Sequence, residues 1–148
     1  MPCLSCWFTR AALLHLAIGV VFGGLILSAK GFPTALGWAW LLLPAHIQLP
    51  VGGWMIQLTL GMAYWILPRL NPAGDRGSPG WAWTSFVALN TGVIASALLL
   101  IIRTSWRAAW LDGLLIVAAL LQALAIVAFV RHAWPRVRPT ILPAQLKT

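Results

Sequence analysis

The chain has 148 residues, of which 61% are hydrophobic and only 8% carry a charge. Soluble domains hold about 25% charged residues, so the composition excludes an ordinary soluble domain and implies an integral membrane protein. The net charge of +8 then concerns topology and contact with anionic lipid rather than nucleic acid, because no extramembrane stretch is large enough to bind one.

Four apolar segments, at about 11–28, 36–67, 81–102 and 108–130, approach or exceed the roughly 20 residues a membrane-crossing helix needs. The ten-residue alternation of barrel strands is absent. The expected fold is therefore all-α, a single integral membrane four-helix bundle. Ahead of the first segment, Cys3 and Cys6 form one Cys-x-x-Cys without a following histidine, so covalent haem attachment is not indicated. Two copies in a dimer could make a four-thiolate zinc site; the plainer reading is two terminal thiols. The first segment is long for a secretory signal and is expected to be a retained helix. It carries His15 near its start, with Gly19 and Gly23 four and eight residues on. Between the second and third segments, 71–80 is dense in turn residues. The third and fourth are joined by the tight turn 103–107. After Arg131 a tail containing Pro135, Pro139 and Pro143 trails along the surface.

If the four spans alternate, one side of the membrane receives Arg10, Arg69, Arg76, Arg131, Arg136, Arg138 and Lys147, and the other Lys30, Arg103 and Arg107. An excess of seven against three in short loops places both termini in the cytoplasm of a cell inner or plasma membrane. Tryptophan follows the same layout. Trp7, Trp65, Trp81, Trp83 and Trp134 fall at the cytoplasmic span ends, Trp38, Trp40, Trp106 and Trp110 at the outer ends, and only Trp54 inside a span. Indole prefers the headgroup level, so belts account for nine of the ten.

His46 is the main candidate functional residue. An imidazole at the start of an apolar span needs a hydrogen-bond partner or a metal. His46, Pro50, Gly53, Gln57 and Tyr64 share one helix face. Pro50 cannot donate to the His46 carbonyl and is expected to bend the helix there. Gly52 and Gly53 remove side-chain bulk about two turns below the ring. Either that space receives a flat macrocycle, or the glycines are helix–helix contacts and His46 bonds a neighbouring helix.

The spacing of His46, Gly61, Tyr64-Trp65 and Pro68 resembles the second transmembrane helix of the haem-copper oxidase catalytic subunit, nearest its cbb3-type oxidase and nitric oxide reductase branch. The likeness covers roughly residues 36–69. It implies that His46 ligates the iron of a haem b near the outer face, with Pro50 and Gly53 beside the ring. Haem propionates are anionic, so Arg103 and Arg107, at about the depth of His46, are candidate partners for them; snorkelling to lipid phosphates is the alternative. The chain departs from the family in ligand number. With three histidines it lacks an oxygen- or nitric-oxide-reducing centre and is not expected to be an enzyme on its own.

His15 and His132 are both expected near the cytoplasmic side, some 20–30 Å in depth from His46, where they form a second, weaker candidate metal site. A second ligand for a His46 haem would then come from the same residue of a homodimer partner or from another subunit of a larger complex; otherwise the iron stays five-coordinate. Met55 and Met62 lie too deep on the same helix. Gly19 and Gly23 form a Gly-xxx-Gly that suits close helix contact, within or between chains. Gln57, Asn90 and Gln122 are expected to be interhelical hydrogen-bond partners, and Asp112 to pair with Arg107. The expected function is electron transfer or haem/gas binding. The rival is a small accessory subunit of a respiratory or photosynthetic complex without its own redox centre.

Overall fold

Prolines set several of the helix limits. In the computed structural model, which describes residues 1–70 and 74–137, α1 (Cys3–Gly31) ends just before Pro33. Pro33 opens the single turn α2 (Pro33–Leu36), and a 3₁₀ segment, Gly37–Leu42, follows. Pro44 sits in the first turn of α3 (Leu43–Gln48), where its missing N–H costs nothing. Pro50 stands at the start of a π-helix, Leu49–Ile56, which runs on into α4 (Gln57–Ile66), ahead of Pro68. Pro79 starts α5 (Pro79–Ser105). Then α6 (Ala109–Ala133) passes into a 3₁₀ turn, Trp134–Arg136, that contains Pro135. Arg138 and Lys147, the prolines at 139 and 143, and the first three residues of the expected loop 71–80 lie outside the described residues.

The molecule is all-helical, with no strand among the described residues. Three helices, α1, α5 and the α6 region, are long and apolar enough to cross a membrane. The fourth helical run, 43–66, is continuous but changes its winding. Where a bend was expected at Pro50, the ladder widens to i→i+5 bonding, which accommodates the missing donor. The expected start of this segment at 36 is also corrected, since 37–42 is wound as 3₁₀ and regular helix begins beside Pro44.

The first helix begins eight residues before the expected 11. Leu4, Ser5 and Phe8 are buried, and Leu4 and Phe8 pack with Tyr64, Ala82, Phe129 and Ala133 in one core cluster, so extending α1 buries apolar surface that a loop would leave exposed. His15 consequently lies in the middle of a 29-residue helix, not near its start. A second cluster, built on Ala45, Leu49, Ala88, Leu89, Val93, Ala97 and Ala125, joins α3 and the π-helix to α5 and α6. Alanine in so many of these places lets the backbones approach closely. At Gly92 a Cβ would come within 2.8 Å of the Ala118 carbonyl, so α5 and α6 approach closely there.

The outside is apolar. Leu13, Val20, Leu27, Val87, Leu98, Ile116 and Val127 are all exposed, far more contiguous apolar surface than a soluble monomer presents. The interior holds the amides. Gln48 donates to Gln122 (3.0 Å), which donates to the Ser96 hydroxyl (2.9 Å). Gln57 donates to Asn90 (3.2 Å) and, at 3.4 Å, to the Phe8 carbonyl. Gln57, Asn90 and Gln122 thus do bridge helices, in two separate networks, with Gln48 as an unforeseen fourth member.

Candidate functional site

The seam between α1 and the run 43–66 is a series of side chains seated on glycines. A Cβ on Gly23 would stand 2.5 Å from His46 Cε1, and one on Gly19 would stand 2.7 Å from Pro50 Cγ. In the other direction, a Cβ on Gly53 would meet His15 Cγ at 2.6 Å, and one on Gly61 would meet Phe8 Cβ at the same distance. Glycine is needed at each of these positions for the approach it permits; the two seats at the His46 end lie on α1 and the next two on the run 43–66.

Each seam histidine is bonded to the backbone of the opposite helix. His46 Nδ1 lies 2.8 Å from the Gly19 carbonyl oxygen, and His15 Nδ1 lies 3.2 Å from that of Gly53. A carbonyl only accepts, so each Nδ1 is the donor, and in the neutral form of such a ring the lone pair is on Nε2. His46 is half-buried and borders a cavity of about 270 Å³ whose lining includes Gly23, Leu27, Lys30, Trp40 and Leu43. An imidazole fixed through Nδ1–H to a backbone carbonyl is oriented and made more basic at Nε2, as metal-ligating histidines are.

The other expected site residues are distributed differently. Gly53 and Pro50 do not border the His46 cavity: Gly53 is filled by the His15 ring and Pro50 rests on Gly19. The space expected for a macrocycle is occupied by this chain's own side chains. Gly52 likewise faces Val93, Gln48 and Gln122. Arg103 and Arg107 line a separate cavity that includes Pro44 and Asp112. The cation beside His46 is Lys30. Asp112 pairs with Arg103, at 2.8 Å, rather than with Arg107.

His15 and His46 are nearer in depth than the two-leaflet estimate. The His15 ring rests on Gly53, seven residues beyond His46, or roughly 10 Å along the helix. His15 and His132 are not brought together. His132 stacks on Tyr64 with ring centroids 5.2 Å apart, and Tyr64 is roughly 16 Å along the helix from Gly53. Among the described residues no group of three or more His, Cys, Asp or Glu side chains is placed to hold a metal ion. Cys3 and Cys6 are free thiols.

A polar cluster at the far end of the bundle was missed by the sequence reading. Arg136 is only 1% exposed. Its Nε donates to the Pro68 carbonyl (2.9 Å), and its Nη2 to those of Tyr64 (3.0 Å) and Leu67 (2.6 Å). These are carbonyls at the C-terminal end of α4, where a cation is favoured. Arg136 Nη1 lies 3.2 Å from His132 Nε2, and His132 Nδ1 lies 3.1 Å from the Ser78 carbonyl. Both nitrogens of His132 are therefore engaged within this chain. The i, i+4 spacing of His132 and Arg136 was the available signal.

No protein-family model, no curated protein and no solved structure matches this chain.

Proposed function

We propose that the chain is a four-span bundle of a cell inner or plasma membrane, with both termini cytoplasmic, and that His46 is an axial ligand for a b-type haem used in electron transfer or gas binding. The observation that carries this reading is the His46 ring itself, held at Nδ1 by the Gly19 carbonyl beside a cavity at the lateral surface. The likeness of residues 36–69 to the haem-ligating helix of the haem-copper oxidase catalytic subunit supports the same choice.

The residues fit the iron end of the group better than its periphery. About 270 Å³ lies below the roughly 300–1,000 Å³ of ligand pockets. A haem held at His46 would thus need further cover beside Leu27 and Trp40, from a second copy or another subunit. Lys30 takes the propionate-pairing role assigned to Arg103 and Arg107, while Pro50 and Gly53 support the seam that holds α1 and the Gly19 carbonyl in place. When bound, the haem supplies one-electron chemistry or a gas-binding iron. The chain itself orients the imidazole through the Gly19 carbonyl.

The test is the visible spectrum of protein purified from haem-replete cells. A Soret band is expected, lost in His46→Ala with helicity retained and kept in His132→Ala. One haem per two chains is expected if the second ligand is His46 of a partner. A colourless wild-type protein would instead favour an accessory membrane subunit without a redox centre. That second reading has its own support, because the glycine seats along 50–61 are filled by this chain's own side chains.

A further inference from the structure

The turn from α5 to α6 opens onto a cavity of about 680 Å³ that lies apart from the His46 cavity. Arg103, Thr104, Arg107 and Asp112 supply its polar lining, and Leu100 and Pro44 its apolar wall. The charges are unequally used. Arg103 Nε is tied to Asp112 at 2.8 Å, and the Thr104 hydroxyl donates to the Ile101 carbonyl at 2.6 Å. Arg107 has no ion-pair partner among the described residues. Two arginines and one aspartate leave a single positive charge in the cavity, centred on Arg107.

Two further features point the same way. Ala108, the N-cap of α6, offers no side-chain cap; the Leu111 N–H closes on the Ala108 carbonyl, and the remaining N–H groups of the first turn add to the positive potential at Ala108 and Ala109, which also line the cavity. Trp106 and Trp110 stand exposed on the same turn, with ring centroids 6.0 Å apart, and exposed indoles mark the headgroup level of a bilayer.

We propose that this cavity binds the phosphodiester headgroup of an anionic phospholipid, with Arg107 as its principal contact. A phosphodiester carries one negative charge, matching the one uncompensated cation, and the planar guanidinium can hold two of its oxygens at once. The Leu100 and Pro44 wall favours a lipid over free phosphate, since it continues the apolar exterior of the bundle and gives the glycerol and first acyl carbons a surface to lie on. This site does not depend on the identity of any group bound at His46.

Native mass spectrometry of the detergent-purified protein, titrated with palmitoyl-oleoyl phosphatidylglycerol, tests the assignment. Wild-type protein is expected to retain the lipid. Arg107→Gln should weaken retention by about tenfold, the scale of one charge-assisted contact, and Arg107→Lys by less. Arg10→Gln removes an exposed cation from α1 and should leave retention unchanged. Ala109→Trp, which fills the cavity at constant charge, should weaken it as Arg107→Gln does and covers the case in which that variant fails to fold. Equal losses in Arg10→Gln and Arg107→Gln would overturn the site in favour of diffuse attraction. Displacement of the lipid by millimolar inorganic phosphate would reassign the cavity to a soluble anion, and no retention by wild type would remove it.

Discussion

His46 and His132 sit toward opposite ends of the bundle and have the same first partner, a backbone carbonyl at Nδ1. They differ at Nε2. For His132 that nitrogen meets Arg136, in a cluster closed by Tyr64 and the end of α4. For His46 the neighbours are an open cavity, Lys30 and Trp40. The difference shows why burial alone is a poor guide to function. The deeply buried histidine is the satisfied one, and the half-exposed one keeps chemistry in reserve. Desolvation makes an unpartnered polar atom costly, and at His132 that cost is met by a partner on each ring nitrogen.

The comparison is broken most severely at Arg136. Arg136→Ala would strip donors from the Tyr64, Leu67 and Pro68 carbonyls and from His132 Nε2. We expect a loss of about 1–3 kcal/mol for each of these acceptors left unsatisfied in the interior, read by unfolding in mixed micelles. Arg136→Lys should recover only part of it, because a point charge cannot span acceptors arranged for a planar fork. A loss within experimental error would mean that the α4 carbonyls find other donors.

At the other histidine a smaller effect is expected. Gly23→Ala would place a Cβ 2.5 Å from His46 Cε1, so the ring or the helix must shift. Overpacking of this kind costs about 1–3 kcal/mol, and any spectroscopic signal that depends on His46 should weaken with it. Retention of full stability and signal would show that the imidazole is not seated on Gly23.

The smallest effect belongs to the adjoining residue. Gly24 meets nothing within 4 Å of an added Cβ, so Gly24→Ala should be neutral or stabilising, by up to about 1 kcal/mol from helix propensity. Gly23→Ala and Gly24→Ala differ by one position in one helix, and equal behaviour in the same melting experiment would remove the seam as a determinant of either site.

Much of the helical layout was legible because it rests on local properties. Apolar length placed α5 and α6 within three residues of their ends. The early start of α1 was not legible, since the reason for it is the packing of Leu4 and Phe8 against Tyr64, more than fifty positions away. Gly52 and Gly53 were rightly marked as removed bulk. Their neighbours, Gln122 for one and His15 for the other, come from helices whose register against 43–66 is not encoded locally. The same holds for Asp112, whose choice of Arg103 over Arg107 follows from the geometry of the α5–α6 turn.

Composition and periodicity by themselves determined that this chain is helical and apolar enough for a membrane, that its indoles lie at the ends of its segments, with all but Trp54 exposed, and that His46 stands out. Hydrophobic length and charge are additive along the chain and need no partner to be read. Which imidazole stays open, which glycine clears space for which ring, and where Arg136 spends its donors were decided only in the tertiary structure. Those outcomes depend on pairings between helices, and a pairing exists only once two surfaces have met at a definite register.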